Sequence, residues 1–445
     1  MREIEITADE LVNNLLSLSE TKQICLLDSC GVSHLGSHLL IAGISPLETL
    51  EIKNDNAEET LKTLDEKLSQ KDLAGIFTIS YDFGLKLEKI NHRRKEYASF
   101  SEPDVFLALF DCLIIHDYNT AKTFLTGNEM RFDETERLLN HNPKEQQFDG
   151  SQNVEGVTVY SNFTRESYVQ TIGKIQEHIR RGDTYQTNLT QQFRACLPEN
   201  LTAQKIFWRL RKSHPAPFAA FLKRNHDSVV SISPERFLRV DNQESKVGKT
   251  ISTSPIKGTR RRGQTKAEDE KLRNELLNSP KDLAENVMIV DLLRNDLGRI
   301  CEYGTIKVEK LCDLETHPTL FHLVSTVRGE LRRNVNFSEI IKAVFPCGSI
   351  TGAPKIRTMQ IIDELETATR GLSMGAIGCS IQSSKFKVQS SVDMSVAIRT
   401  MVIKNNEAFF NVGGGIVIDS IPENEYEESL LKAKALLDSM GAKYL

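Results

Sequence analysis

The stretch Ser254-Pro255-Ile256-Lys257-Gly258-Thr259, followed at once by Arg260, Arg261 and Arg262, concentrates residue types that could do chemistry. It sets one lysine between a β-branched apolar residue and a glycine, with fixed cations just downstream. A protonated lysine is a poor nucleophile. Desolvation and neighbouring positive charge both disfavour the ammonium form, and that is how a lysine amine is activated near neutral pH. The arginines keep their protons and act as fixed charge or as forks for carboxylate or phosphate. A basic loop whose lysine snorkels to water would read the same way, so the rest of the chain must decide.

Acids recur at matched spacing. Asp282 and Glu285 stand three apart near one helix start, and Glu425 and Glu428 do so near another, with Lys432 one turn further. Each pair shares a helix face. Alone, each reads equally as a solvated face, and Glu428 with Lys432 as an ordinary ion pair. If the two helix starts converge, their carboxylates suit Mg²⁺, which takes a few carboxylates, keeps waters and bridges to an anionic ligand. Glu235, in Ser233-Pro234-Glu235-Arg236-Phe237, reads as a general acid or as a paired surface glutamate. His322 reads as a ligand contact or as a satisfied core histidine. Arg399, in Val396-Ala397-Ile398-Arg399-Thr400, reads as a charge in a strand interior, where it needs a carboxylate partner.

Two glycine-rich turns complete the set. Phe345 to Lys355 combines the Ser349 and Thr351 hydroxyls with free amides and a lysine, ahead of a helix beginning near Lys355. Helix starts of this kind attract anions, although the spacing is not that of a phosphate-binding P-loop. Gly413-Gly414-Gly415 either lets backbone approach a ligand closely or closes a tight hairpin. Together these parts describe a site for a small polyanion: magnesium, an arginine, amide-rich turns, one acid and one activated lysine.

The elements that must position these groups follow from periodicity. Residues 1–145 form a first region with short apolar strands at 24–29, 38–42 and 73–80, a helix over 57–70, and one long strand-like run from Val105 to His116. The polar stretch from Asn140 to Gly156 reads as a linker. A second region, 163–438, opens with a helix capped by Thr164, on which Val169, Ile172, Ile175 and Ile179 recur at helical spacing until Gly182. Strands are expected around 185–193, 218–222, 229–232 and 237–240, with at least three more between Gly375 and Val417. Helices are expected at 284–297 and from Pro422. The class is α+β, with large antiparallel sheets and helices packed outside.

Bulk composition narrows the partners. The 445 residues are 39% hydrophobic and 26% charged, ordinary for globular chains of two or three domains. A net charge of −5 argues against nucleic acid. No run approaches the roughly 18 apolar residues of a membrane helix, and the first residues carry no signal pattern. Eight scattered cysteines without a Cys-x-x-Cys pair imply reduced thiols and a cytoplasmic location.

With these residues in view, 163–438 resembles the chorismate-utilising enzymes. The resemblance rests on Gly182 to Leu189, Ser233 to Phe237, Pro255 to Thr259, Asp282 to Asp296, His322 to Ser325, Ser349 to Lys355, Ala397 to Thr400 and Gly413 through Glu428. The first region resembles that family's N-terminal segment, and the implied fold is that of anthranilate synthase component I. Lysine in the Pro-Ile-Lys-Gly-Thr motif is similar to the aminodeoxychorismate synthase component I branch, whereas anthranilate synthases carry alanine there. Isochorismate-forming relatives place a lysine base where this chain has Gln186.

The resemblance implies that Lys257 attacks the chorismate ring while Glu235 protonates the departing hydroxyl. Ammonia from a separate glutamine amidotransferase subunit, bound as a heterodimer, then displaces the lysine, giving the precursor of p-aminobenzoate and folate. It further implies Mg²⁺ on Glu285 and Glu428, supported by Asp282 and Glu425. The substrate would meet Arg399, Gly414, Gly415, Lys432, His322, Ser349, Thr351, Gln186 and Cys379. A tryptophan site would include Leu27, Ser29, Pro215 and Phe218. Cys379 stands where the family has tyrosine, Ser254 where arginine is common, Asp282 where glutamate is frequent, and His214 where asparagine is usual. The alternatives are anthranilate synthase component I and, outside enzymes, a chorismate- or tryptophan-binding regulatory subunit.

Overall fold

The computed structural model describes residues 1–442 except 35, 37, 92, 94, 96, 98–100, 141–156, 245–247, 317–319, 387 and 389. The expected linker thus lies outside the described residues, apart from Asn140, which ends a helix, Phe132–Asn140. A twelve-stranded and a ten-stranded antiparallel sheet dominate the rest. The apolar layer between them takes Cys25, Ile41, Phe221's neighbours Ala220 and Leu222, and Val402 from the first sheet. Ile76, Phe106, Ala108 and Ile377 come from the second. Helices cover the outer faces. Leu11, Leu15, Phe207, Leu210, Leu436 and Leu437 pack on the larger sheet, and Leu61, Leu64, Val290, Ile340 and Ile341 on the smaller. The α+β sandwich expected from periodicity is the observed one. No described helix is long and apolar enough to cross a membrane.

The regions 1–145 and 163–438 share both sheets. Ile24–Asp28 pairs with Phe218–Lys223 in one, and Ala74–Ile79 with Ala376–Ile381 in the other. The run Val105–His116, expected as one strand, is two. Val105–Phe110 pairs with Ala74–Ile79, whereas Cys112–Asp117 pairs with Leu39–Ile44 in the opposite sheet. Asp111 makes the crossing, accepting from the Asn128 amide at 2.7 Å through its carbonyl. Gly127, at φ +105°, lets that carbonyl approach so closely that a Cβ would lie 2.2 Å from it. Continuous hydrophobicity reports burial on both faces and carries no signal for a change of sheet.

The same device recurs where chemistry was expected. Ser228–Ser233 belongs to the larger sheet and Arg236–Glu244 to the smaller, so Pro234 and Glu235 form a crossover. Ser390–Val396 and Thr400–Lys404 likewise straddle the two sheets, leaving Ala397 to Arg399 between them. The crossovers are bonded to each other: Ile232 N donates to Arg399 O at 3.1 Å and Val396 N to Glu235 O at 3.1 Å. Arg399 is therefore not in a strand interior. It occupies a bend at φ +49°, because a chain that changes sheet must leave the ladder.

Candidate active site

Lys257 owes its direction to a β-bulge. The segment 250–261 runs antiparallel to Leu320–Glu330, but the register slips between Ile256, opposite Val324, and Thr259, opposite His322. The extra residue re-aims the side chains around it. Gly258 at φ +83° makes the bulge, and its α-carbon lies so close to helix Pro280–Gly298 that a Cβ would meet Asp282 Cβ at 3.0 Å. Pro255 contributes no donor, and its carbonyl accepts Ser325 N at 3.2 Å.

The lysine amine, largely buried, donates to Ser349 O at 3.5 Å and lies 4.0 Å from Glu285 Oε2. Glu235 faces it from the crossover. Only 5% of Glu235 is exposed and its Oε1 finds no partner among the described residues. Burial pushes its carboxyl up to about 7, against the opposing pull of the Ser349 hydroxyl, the Lys257 cation and the Ile256 amide. A carboxyl so tuned is protonated in a useful fraction near neutrality and can hand over its proton.

The two acid-bearing helix starts do converge. Lys281 Nζ of helix Pro280–Gly298 reaches Glu425 Oε1 of helix Pro422–Met440 at 3.0 Å. Ser279 caps the first helix by accepting from Asp282 N, and both helices begin with proline, whose φ is preset for the first turn. Glu425 also receives the Ser420 hydroxyl at 2.7 Å, and Asp282 takes Arg260 Nη2 at 3.1 Å. Glu285 is pushed up, chiefly by burial, and its Oε1 is orphaned. Glu428 is held below its usual range: partial burial opposes ionisation, but Lys432, at 2.8 Å, outweighs it. Lys432 also donates to Gly413 O at 2.9 Å. A Cβ on Gly414 would come 3.4 Å from Lys432 Nζ and 3.5 Å from Glu425 Oε2, so that backbone faces the acids at ordinary contact distance.

The remaining expected residues divide. Gln186 is buried with its Nε2 against Gly415 and its Oε1 without a partner. His322, opposite Thr259, bonds its hydroxyl through Nδ1 at 2.9 Å. Thr351 spends its hydroxyl inside the turn, on Cys347 O and Gly348 O. The Arg399 guanidinium, half-buried, makes no hydrogen bond or ion pair with the described residues, and burial lowers its pKa. No described protein carboxylate meets it, which leaves the fork to an anionic ligand.

Cys379 departs from expectation. It lines a cavity of about 340 Å³ between the sheets, together with Leu27, Ser29, Phe218 and Pro217. Its thiol, pushed up to about 12 by burial, makes no described contact with the lysine cluster. Pro215, expected beside Phe218, is exposed, and Pro217 takes its place because the strand begins at Phe218. Residues not foreseen include Lys281, Arg260 as the partner of Asp282, and the buried Glu366–Arg370 pair. Lys281 adjoins Asp282 in sequence, but only the helix convergence gives it a role.

Among the described residues, no three His, Cys, Asp or Glu side chains are gathered closely enough to hold a metal ion. The acids are instead held by Lys281, Arg260 and Lys432. The set is all oxygen, and the orphaned Glu285 Oε1 is a buried acceptor that a cation would satisfy. The residues present fit Mg²⁺.

A buried acid and amine close to an acidic helix pair, with an arginine at the adjoining crossover, make a candidate site for an anionic substrate. Residues 22–438 match the family described as chorismate binding enzyme, and the chain belongs to that family: it is an enzyme that acts on chorismate. It is 32% identical to aminodeoxychorismate synthase component 1 of Bacillus subtilis (strain 168), over 98% of this chain and 95% of that one. Similarity to anthranilate synthase component 1 of Aquifex aeolicus (strain VF5) is 36% over 76% of this chain and 68% of the relative. The solved structure of anthranilate synthase component I from Streptococcus pneumoniae TIGR4 superposes with a TM-score of 0.76 at 26% identity, covering 91% and 93% of the two chains.

Proposed function

We propose that the chain is an aminodeoxychorismate synthase component I. The observation that carries this reading is the bulge that aims Lys257 at the same turn as Glu235, whose carboxyl sits at about 7. Lys257 attacks the chorismate ring through Nζ. The carbon–oxygen bond breaks as Glu235 passes its proton to the leaving oxygen, so water departs and a secondary amine joins the ring to the protein. Ammonia then forms the new carbon–nitrogen bond and displaces the lysine, leaving aminodeoxychorismate. One hard displacement becomes two easier ones. Arg399 and the amides of Gly414 and Gly415 would hold one carboxylate.

Glu285 and Glu428 would hold Mg²⁺, which supplies charge for the other carboxylate. In this reading Lys281 and Arg260 keep Glu425 and Asp282 in place around them. Ammonia would come from a glutamine amidotransferase subunit, a partner that the name component 1 among the relatives supports. The inter-sheet cavity would be the tryptophan site, without Pro215.

Anthranilate synthesis is the second reading, since relatives of that name match over most of their length. The chain incubated with chorismate, Mg²⁺ and an ammonium salt separates the two. The proposal expects p-aminobenzoate only after a lyase is added; anthranilate with stoichiometric pyruvate overturns it. Intact-protein mass after chorismate without ammonia should show an adduct that Lys257→Ala lacks, and its absence removes the covalent role.

A further inference from the structure

Arg370 does not touch the lysine, yet it joins the two walls on either side of it. Its side chain is 1% exposed and stacks over the Tyr81 ring at 4.4 Å. The guanidinium forks onto Glu366, with Nε at 2.9 Å and Nη2 at 2.7 Å. Its other hydrogen bonds reach backbone carbonyls: Nη1 donates to Ile350 O at 2.9 Å and Nη2 to Asn188 O at 2.7 Å. Ile350 follows Ser349, whose carbonyl takes Lys257 at 3.5 Å and whose hydroxyl, 3.3 Å from Cys347 Sγ, helps hold the Glu235 carboxyl down. Asn188 lies two residues from Gln186, opposite Gly415. Glu366 extends the brace by accepting Thr190 N at 2.7 Å and its hydroxyl at 2.9 Å.

A buried ion pair contributes little net stability over apolar residues of equal volume. What this one adds is direction, because the planar fork fixes several acceptors at once and a lysine in its place cannot. We propose that Arg370 is a positioning residue for the Lys257–Glu235 pair, holding the Ser349 turn so that its carbonyl meets the amine and its hydroxyl stays beside the acid. The inference rests on the roles proposed above for those two residues.

Arg370→Lys tests it. Displacing the turn by about 1 Å should cost about 10- to 100-fold in kcat/KM, mostly in kcat. The specific readout is the Glu235 carboxyl itself, titrated by ¹³C NMR of glutamate-labelled protein and assigned with Glu235→Gln. Its midpoint should move above about 7, since the Ser349 hydroxyl that holds it down is drawn away. Arg370→Lys combined with Ser349→Ala should leave the Glu235 midpoint where Ser349→Ala alone puts it. An unmoved midpoint in folded Arg370→Lys, or a further shift of the midpoint in the double variant, overturns the inference. Should Arg370→Lys fail to fold, Glu366→Gln keeps the shape of the brace, weakens the fork and carries the same expectation. The covalent reading is judged separately: a missing Lys257 adduct in the wild type sinks that reading, whereas Arg370 stands or falls on the Glu235 midpoint.

Discussion

Two regions of this sandwich gather residues that sequence marks for function, and they treat buried charge in opposite ways. In the inter-sheet cavity charge is satisfied, although the buried Ser29 hydroxyl finds no partner among the described residues. Asp28 accepts Arg211 Nε at 2.7 Å, Tyr118 Oη at 2.7 Å and the Cys30 amide at 2.7 Å. Asp393 is met by Arg236 at 3.1 Å, and Arg239 by Asp241 at 2.7 Å. Near Lys257, by contrast, Glu235 Oε1, Glu285 Oε1 and Gln186 Oε1 are buried without partners among the described residues, and at the adjoining crossover the Arg399 guanidinium meets none of them either. Unsatisfied buried polar groups cost a few kcal/mol each. A fold keeps them where a ligand completes them, so the first region can receive a ligand while the second is poised to react with one.

The largest effect that sharpens this contrast is on turnover. Glu235→Gln removes the proton donor but keeps the shape, and chorismate amination should fall about 10²–10⁴-fold in kcat, with Lys257→Ala at least as damaging. Steady-state kinetics with ammonium salt decides. A loss below tenfold would mean that another group supplies the proton.

The matching loss in the other region is of stability. Arg211 is 6% exposed in its side chain and meets Asp9, Asp28 and Tyr118. Arg211→Met leaves Asp28 buried and uncompensated, and should cost about 3–5 kcal/mol in denaturant unfolding. kcat/KM of the folded fraction should stay near wild type. If activity falls in parallel with stability, the two regions are not functionally separate.

A smaller effect ties the acid to pH. The folded Glu235 carboxyl sits at about 7, above its ordinary 4.5, so the folded chain holds a proton that the unfolded chain releases between those values. That contribution to stability is present at low pH and is lost as pH rises through 7. Glu235→Gln, which cannot ionise, should match wild type near pH 4.5 and exceed it above pH 8, by about 3 kcal/mol at most. Unfolding curves at the two pH values check it, and a stability gap independent of pH would contradict the burial argument.

How much of this was legible in the chain depends on range. Periodicity and caps placed the helices from Thr164 and Pro422, and the spacing of Asp282–Glu285 and Glu425–Glu428 foretold two acidic helix starts, because those signals are local. The crossovers were not legible. A strand that changes sheet at Asp111 looks like one buried run, and Arg399 looked like a residue in a strand interior, because sheet membership is decided by distant partners. Arg260, Arg261 and Arg262 read as fixed charge or as forks for carboxylate or phosphate, and each meets its own acid: Asp282, Glu268 and Asp269. Lys281 and Arg370 carried no local mark at all, since their roles exist only once two helices or two walls are brought together.

Cys379 is where the comparison can be broken most economically. Its place in sequence put it with the substrate, whereas the fold puts it in the satisfied cavity beside Leu27 and Phe218, with Ile377 and Gly378 on the same strand. Strand alternation explains the change, since Ile377 and Cys379 face the inter-sheet layer together. Cys379→Ala should therefore leave kcat/KM for chorismate within about twofold, as expected for a site with no shared partners, and cost stability only through the lost packing of one sulfur. A tenfold loss of kcat/KM without a loss of stability would return Cys379 to the substrate and join the two regions into one site.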